Sequence, residues 1–147
     1  MASRVVRIPI KLVAIEEDGF HLTVNVNIDG KNALVLIDSG ASRSVFDINR
    51  IRKFTLEQSF EQHDKLSTGL GTNSMVTHTT NLKNFKIGDL FLKSFEAVLL
   101  DLTHVNESYS KLGLEPIDGV FGSDLLHRYK AVIDYGKCEL QLTPSYH

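Results

Sequence analysis

Hydrophobic and polar positions in the first part of the chain follow the period of β-strands. Residues 5–15 are rich in branched side chains, and residues 20–28 alternate between apolar and polar, which is typical of a strand with one buried face. Asp29-Gly30 is a two-residue hairpin signal, and the apolar run at 33–37 predicts a strand that is buried on both faces. The chain is therefore expected to begin with a set of paired strands.

Later segments also predict short strands joined by turns. Residues 66–80 are polar and rich in threonine, and they contain Gly69 and Gly71, which predicts an exposed hairpin with the two glycines near its tip. Residues 85–92 predict another hairpin, which turns at Gly88-Asp89.

Strands are predicted near the end of the chain as well, with a short helix before the last two. Three segments have the composition of strands, at residues 95–102, 131–134 and 138–142. Residues 123–129 predict the helix, and the hydroxyl of Ser123 is expected to cap its N-terminus.

Helical spacing also occurs in residues 44–54, where Val45, Ile48 and Ile51 would lie on one face of a short helix. The pattern as a whole predicts a single domain over residues 1–147 that is mainly β, with one or two short helices.

Composition narrows the class of protein and of partner. The 147 residues are 42% hydrophobic and 23% charged, which is ordinary for a globular domain. The net charge of -2 and the pI of about 6.3 give no reason to expect nucleic acid or an anionic membrane surface as a partner. No apolar run is long enough to span a bilayer.

Cysteine and histidine content argues against a metal site. Cys138 is the only cysteine, which excludes an intrachain disulfide and a zinc site built on several thiolates. The six histidines lack metal-ligand spacing, so neither a metal nor another cofactor is predicted. Residues 1–10 lack the uninterrupted apolar stretch of a signal peptide, so a cytoplasmic location is expected; prior removal of a signal peptide would instead make the protein periplasmic or secreted.

A single carboxylate stands at the end of the most apolar segment. Asp38 directly follows the run at 33–37, and an Asp at such a place is usually paired or functional because burying a charge is costly. Ser39 can hold a tight loop through its hydroxyl, and Gly40 lets the backbone come close to a partner. A structural turn carboxylate is the alternative interpretation of Asp38.

A second segment places two apolar residues and a glycine before the predicted helix, in Asp-Gly-Val-Phe-Gly-Ser-Asp-Leu-Leu at 118–126. Together with Asp38-Ser39-Gly40-Ala41 and the glycine-bearing hairpin between them, this segment resembles the retropepsin-like aspartic proteases, and it is nearest to the bacterial single-domain members. The resemblance covers residues 20–142. It implies a homodimeric acid-protease β-barrel in which the strand of the second segment passes the strand of the Asp38 loop.

The resemblance implies a role for each residue of the Asp38 loop. Asp38 would be the catalytic aspartate of an aspartic endopeptidase. Ser39 would form interlocking hydroxyl contacts with its symmetry mate, and Gly40 and Ala41 would line the substrate channel.

Two further sets of residues follow from the same resemblance. A flap that closes over a bound peptide would contain Gly69, Leu70 and Gly71. The substrate pocket, near the subsite walls or beneath the Asp38 loop, would be formed by Pro116, Ile117, Val120 and Phe121.

The mechanism of this family needs two carboxylates on one water, one ionised as general base and one protonated. Asp134-Tyr135-Gly136 also follows apolar residues, but Tyr135 cannot replace the small hydroxyl, so a hairpin turn is predicted there. A homodimer would supply the second Asp38, with a peptide or protein as substrate. The alternative is a catalytically weak retropepsin-like dimerisation or peptide-binding module.

The chain departs from the viral members of the family at two positions. Those enzymes pair an acidic residue after the Ala with an arginine after the second glycine, whereas Ser42 and Ser123 stand here. We expect a polar or hydroxyl contact in place of the ion pair. Viral termini also interleave into a sheet between subunits, an arrangement that the strand-like segments 3–10 and 138–142 would allow.

Overall fold

Eleven β-strands make up most of the structure, a computed structural model that describes residues 4–56, 61–66 and 74–144. In chain order the strands are β1 (Val6–Pro9), β2 (Lys11–Ala14), β3 (Phe20–Ile28), β4 (Lys31–Ile37), β5 (Val45–Asp47), β6 (Glu61–Leu66), β7 (Ser74–Ile87), β8 (Leu90–Leu100), β9 (Gly119–Phe121), β10 (Val132–Asp134) and β11 (Glu139–Leu142). The helices are α1 (Thr103–Lys111), α2 (Ser123–Arg128) and a single 3-10 turn at Ile51–Lys53. Within these ranges, no helix has the length and apolar character needed to cross a membrane.

Six of the strands close into a barrel. Their hydrogen-bonded order is β3-β4-β9-β5-β8-β7, and β7 returns to β3 by pairing Asn27 with Lys86 and Ile28 with Phe85. The sheet is extended by β2, which pairs with β3, and by β6, which pairs with β7. In two of the strand pairs, β4–β9 and β5–β8, the strands run parallel to each other. The predicted fold class, a mainly β barrel with few short helices, is therefore confirmed.

The hairpin turns follow from local backbone preferences. Asp29 and Gly30 connect β3 to β4 with φ angles of 50° and 86°, the left-handed conformation that two-residue hairpin turns need and that Asp-Gly adopts readily. Gly88-Asp89 connects β7 to β8 in another two-residue turn. Both predicted turns are confirmed, and they set the register of the strands on either side.

Aromatic side chains fill the middle of the barrel. Phe46, Phe85 and Phe121 have no measurable exposed surface. The rings of Phe46 and Phe85 meet edge to face, with centroids 6.0 Å apart and planes at 84°. Burial of each such side chain stabilises the fold by roughly 1.5–3 kcal/mol, so these three residues contribute strongly to closing the barrel.

A smaller apolar cluster joins α1 to β5 and β9. It contains Val45, Leu102, Tyr109, Ile117 and Val120. The sequence pattern did not predict α1, because Tyr109 is the only buried residue of this helix. A helix with a single buried residue has no apolar stripe to mark it.

Two local predictions are wrong. Residues 44–54 do not form a helix: Val45–Asp47 is β5, and only Ile51–Lys53 makes one 3-10 turn. Because β5 pairs with β8 on one side and with β9 on the other, its burial between two strands outweighs the helical spacing of its apolar residues. At α2, Gly122 occupies the N-cap position without a side-chain hydrogen bond, so Ser123 is the first helical residue and not the cap.

The first and last strands form a separate sheet with the order β1-β11-β10. Val6 lies opposite Leu142, and Pro9 lies opposite Glu139. The β10–β11 hairpin confirms the turn predicted after Asp134. The terminal strands thus pair within one chain, whereas the interleaved viral arrangement would pair them between chains.

Candidate active site

Asp38 stands at the point where β4 leaves the barrel. Ile37 is buried, whereas Asp38 and Ser39 are exposed. The Asp38 amide donates to the carbonyl of Phe121 at 2.9 Å, and the Ala41 amide donates to the carbonyl of Asp38 at 3.1 Å, which closes a tight loop. The loop therefore holds the Asp38 backbone firmly and leaves its side chain at the surface.

The Asp38 carboxylate has few partners of its own. Its Oδ1 accepts one hydrogen bond, from the Gly40 amide at 3.0 Å. In the described ranges, none of the ion pairs involves Asp38. An exposed carboxylate without a cationic partner is free to bind water or a second acidic group, unlike one that is held in a structural ion pair.

The Asp38 loop is tied to the second motif that the sequence singled out. Because β9 runs parallel to β4, Ile37 pairs with Phe121 and both strands end at the same edge of the sheet. The Ser123 amide donates to the carbonyl of Ala41 at 2.7 Å. The start of α2 therefore fixes the loop that carries Asp38.

A second link between the same segments runs through a hydroxyl and a carboxylate. The Ser44 hydroxyl donates to Asp124 Oδ1 at 2.7 Å, and the Ser44 amide donates to Asp124 Oδ2 at 3.0 Å. The Gly122 amide donates to the Ser44 hydroxyl at 2.9 Å. The hydroxyl contact between these two segments is therefore made by Ser44 with Asp124, and not by the expected Ser42 and Ser123.

Two glycines of the second motif are needed for this close approach. A Cβ on Gly122 would lie 2.7 Å from the carbonyl oxygens of both Ala41 and Arg43. A Cβ on Gly119 would lie 2.8 Å from the ring of Phe46. Any larger residue at either position would push the Asp38 loop or the barrel core away from β9.

Asp118, at the start of the second motif, has a structural role that the sequence analysis missed. It is buried, and its Oδ1 lies 2.8 Å from Arg50 Nε and 2.8 Å from Lys53 Nζ. Its Oδ2 accepts from the Leu34 amide at 2.9 Å. These bonds join β4, the 3-10 turn and β9, so Asp118 stabilises the strands that position the Asp38 loop. The pairing has no local signal, because its cations are distant in sequence.

The four residues expected to form the substrate pocket occupy different environments. Pro116 is exposed, Ile117 and Val120 are buried in the cluster under α1, and Phe121 lies in the barrel core beneath the Asp38 loop. Ile117 is held at both backbone atoms by Asn106, whose amide side chain accepts from the Ile117 amide at 2.8 Å and donates to its carbonyl at 3.1 Å. A role for these residues in contacting substrate stays a prediction.

An open groove that the sequence did not predict adjoins Asp38. It is lined by Phe20, His21, Leu22, Leu36, Ile37, Asp38, Ser39, Ile133 and Tyr135. The groove arises because the turn after β10 packs beside the start of β3 and the end of β4. No local pattern could have marked these residues, since they come from three distant segments.

His21, the one histidine that lines this groove, is hydrogen-bonded to a side chain of α1. His21 Nδ1 and the hydroxyl of Tyr109 are hydrogen-bonded at 2.7 Å. Burial raises the pKa of Tyr109 above its ordinary value, so the phenol stays protonated at neutral pH. The contact fixes the ring of His21 and joins α1 to the start of β3.

The predicted flap residues Gly69, Leu70 and Gly71 lie outside the described residues. The strands on either side of them pair in antiparallel fashion, with Leu66 opposite Ser74. The hairpin therefore starts at β6, earlier than the sequence pattern indicated. Elsewhere in the described chain, no group of three His, Cys, Asp or Glu side chains is arranged to hold a metal ion.

Comparison with known proteins gives a consistent result. The family model for aspartyl proteases matches residues 24–125, a range that includes both the Asp38 loop and the segment at 118–125. No curated protein matches the chain.

Two solved structures show the same architecture. One is a retropepsin-like aspartic protease from Rickettsia conorii, which is 20% identical, with 97% of this chain and 93% of that chain covered at a TM-score of 0.58. The other is the retroviral protease-like domain of Ddi1 from Leishmania major, which is 16% identical, with 86% of this chain and 94% of that chain covered at a TM-score of 0.56. At these identities the likeness establishes a shared fold.

Proposed function

The chain belongs to the aspartyl protease family, and from this premise we propose that two copies of it form one aspartic endopeptidase active site, in which the Asp38 carboxylates of both subunits activate water. The observation that carries the proposal is the Asp38 carboxylate itself. It is exposed, lacks a cationic partner among the described residues, and sits on a loop anchored to the second motif.

The second carboxylate has to come from another subunit. The one other Asp-x-Gly that follows apolar residues begins at Asp134, whose Oδ1 accepts from the Lys137 amide at 2.9 Å within the β10–β11 turn. The Asp134 carboxylate therefore stabilises the turn of its own hairpin. A two-fold axis beside Asp38 would instead place two identical, equally exposed carboxylates together.

Two close carboxylates share a proton, because both cannot be ionised at once. The ionised Asp38 takes a proton from water, and the resulting hydroxide attacks the peptide carbonyl carbon. The protonated Asp38 gives its proton to the carbonyl oxygen. As the tetrahedral intermediate collapses, the C–N bond breaks and the leaving amine takes up the proton held by the first carboxylate. One hydroxyl of the intermediate returns its proton to the second carboxylate as the C=O bond re-forms, so the pair again holds one proton.

The proposal is tested first by turnover of a mixed peptide library between about pH 4 and 7, the range in which a coupled pair of carboxylates holds one proton. Asp38→Asn is expected to abolish cleavage. Asp134→Asn is the matched control, because Asn keeps the oxygen that accepts from Lys137 and should leave turnover unchanged. Equal cleavage by wild type and Asp38→Asn would contradict the proposal.

A mixing experiment tests whether both carboxylates belong to one site. Wild-type and Asp38→Asn chains are refolded together in equal amounts, so that subunits pair at random. A shared site predicts about one quarter of the turnover of the same total amount of wild-type chain, since only wild-type pairs hold two carboxylates. A site within each chain predicts about one half.

The competing hypothesis is a dimerisation or peptide-binding module with weak catalysis. The structural likeness to the retroviral protease-like domain of Ddi1 is compatible with this hypothesis. It predicts peptide binding that Asp38→Asn leaves intact, together with little or no cleavage by either protein. Binding of library peptides to both proteins without turnover would favour this module over the endopeptidase.

A further inference from the structure

An open groove lies at the opposite end of the barrel from Asp38. We call it the basic groove, and its lining includes Lys31, Phe54, Leu56 and Lys83. Lys31 is the first residue of β4, whereas Asp38 directly follows the last residue of that strand. Because a strand rises by about 3.3 Å per residue, these two positions are roughly 20 Å apart. The basic groove is therefore separate from the groove that adjoins Asp38.

Two lysines and one carboxylate line the basic groove. Lys31, Lys83 and Asp29 are all exposed. Neither lysine takes part in an ion pair among the side chains that the structure describes. The lining therefore carries a net positive charge, in a chain whose net charge is -2. Cations that line a concave surface raise the local concentration of anionic ligands.

Further cations lie beside the groove and are held in position. Lys53 Nζ is 5.1 Å from the centroid of the Phe54 ring and 2.8 Å from Asp118 Oδ1. The same carboxylate oxygen is 2.8 Å from Arg50 Nε. The side chains of Lys53 and Arg50 remain 46% and 30% exposed, respectively. One carboxylate thus faces two cations, so this cluster adds to the positive charge next to the groove.

The strands that carry the two groove lysines are fastened together. The Asp29 amide donates to the Asn84 carbonyl at 3.1 Å, and Asn84 Nδ2 donates to Asp29 Oδ1 at 2.9 Å. Asn84 directly follows Lys83 and has a φ of 52°, a left-handed conformation within β7. Residues in such conformations persist where surrounding contacts fix them, and they are frequent at ligand sites. The backbone on either side of the groove is therefore positioned before any ligand binds, which reduces the entropy cost of binding.

The groove also presents an exposed apolar side chain. Leu56 is 91% exposed, the largest fraction of any large hydrophobic side chain that the structure describes. Phe54 is only 5% exposed, so its ring is not available to stack against a nucleic-acid base. A nucleic acid would match the positive charge but would leave Leu56 without an apolar partner. A polypeptide can supply carboxylates and an apolar side chain together.

We propose that the basic groove binds an extended acidic segment of a partner protein, in which an apolar residue lies between carboxylates. The carboxylates contact Lys31 and Lys83, and the apolar residue covers Leu56. Such a contact combines charge-assisted hydrogen bonds with burial of exposed apolar surface. Binding at this end of the barrel needs neither Asp38 nor cleavage, so it goes beyond the proposed function.

Binding is measured in the Asp38→Asn background, so that no peptide is cleaved during the experiment. The probe is a fluorescein-labelled peptide of glutamates with one central leucine, and fluorescence anisotropy at low ionic strength gives its dissociation constant. The same peptide with serine in place of leucine is the charge-matched probe. The leucine peptide is expected to bind more tightly than the serine peptide, and both should weaken as added salt screens the lysines.

Lys31→Glu and Lys83→Glu should each raise the dissociation constant of the leucine peptide about tenfold, because each replaces an attraction by a repulsion. Lys111→Glu is the matched control, since this exposed lysine ends α1 and does not line the groove. Leu56→Ser should weaken the leucine peptide about fivefold and leave the serine peptide unchanged.

Glutamine variants keep the test decisive if a charge reversal prevents folding, as judged by near-UV circular dichroism. Lys31→Gln and Lys83→Gln remove the charge alone, and each is expected to raise the dissociation constant about threefold. Equal affinity of the unsubstituted groove and of the lysine variants for the leucine peptide would overturn the proposal. Failure of the unsubstituted groove to bind either peptide at low salt would overturn it as well.

Two other occupants give results of their own. A single-stranded DNA oligonucleotide of the same charge that binds more tightly than the leucine peptide, and is lost in the lysine variants, would refute the proposal and assign the groove to nucleic acid. A second copy of this chain could offer its exposed acidic turn at Glu16, Glu17 and Asp18. Self-association in sedimentation velocity that Lys31→Glu abolishes, without peptide binding, would likewise refute the proposal and assign the groove to that copy.

Discussion

Replacing Gly122 by alanine tests whether the second motif holds the Asp38 loop in place. The backbone of Gly122, with φ of -101° and ψ of -172°, is extended and suits any residue, so conformational strain is not the issue. The added Cβ would lie 2.7 Å from two carbonyl oxygens, those of Ala41 and Arg43. Because these are backbone atoms, the loop has to move as a unit.

The expected loss of stability follows from the bonds that this movement strains. The Gly122 amide donates to the Ser44 hydroxyl at 2.9 Å, and the Ser123 amide donates to the Ala41 carbonyl at 2.7 Å. Loss of two such hydrogen bonds costs about 1 kcal/mol each, and overpacking costs about 1–3 kcal/mol. The free energy of unfolding is therefore expected to fall by about 3–5 kcal/mol.

Urea unfolding at one fixed chain concentration measures this loss, since the apparent stability of a dimer depends on concentration. Gly19→Ala is the matched control: the nearest atom to its Cβ would be 3.9 Å away, so no clash arises. Peptide turnover should fall about 100-fold in Gly122→Ala, because displacing a reacting group by about 1 Å has effects of this size. A variant that unfolds within about 0.5 kcal/mol of wild type and retains its turnover would refute the reasoning.

Two further predictions concern α1. Asn106→Ala removes both side-chain hydrogen bonds to the backbone of the buried Ile117, so the free energy of unfolding in urea should fall by about 2 kcal/mol, and an unchanged value would show that the pairing is dispensable. A hydrogen bond from the Thr103 hydroxyl is the main reason that the pKa of Asp101 lies below its ordinary value of 3.8. Hydrogen bonds from the Thr103 amide and the Asn49 side chain lower this pKa further. This carboxylate thus stabilises the fold above about pH 4 and loses that effect as the pH falls through its lowered pKa. Thr103→Val should raise the pKa of Asp101 in an NMR titration, and coincident titration curves would contradict the assigned cause.

Much of the barrel could be predicted from local patterns. The alternation that ends at Ile28, the Asp29-Gly30 turn and the apolar run before Asp38 each act over a few residues, so the sequence displays them directly. Asp38 could also be recognised from the sequence as the candidate catalytic residue, because a carboxylate directly after a buried strand is unusual. The segment at Gly119–Phe121 was identified by its resemblance to a family and not by its periodicity.

Elements that depend on distant partners could not be predicted in this way. Val45–Asp47 is a strand because β8 and β9 flank it, although its residues have helical spacing. The α1 helix is held by one buried tyrosine and by Asn106, which leaves almost no periodic trace. The Ser44–Asp124 bridge likewise joins residues that are far apart along the chain.

The sequence by itself determined most of the strands, the hairpin turns and the choice of Asp38 as the candidate catalytic residue, because each depends on side chains within a few residues of one another. Only the tertiary structure decided that the terminal strands pair within one chain, that Ile117 and Phe121 are buried, and that Phe20 and Tyr135 flank Asp38. These features are contacts between segments that meet only when the barrel closes. The local order of residues shows which side chains are apolar, but it does not show which distant segment they pack against.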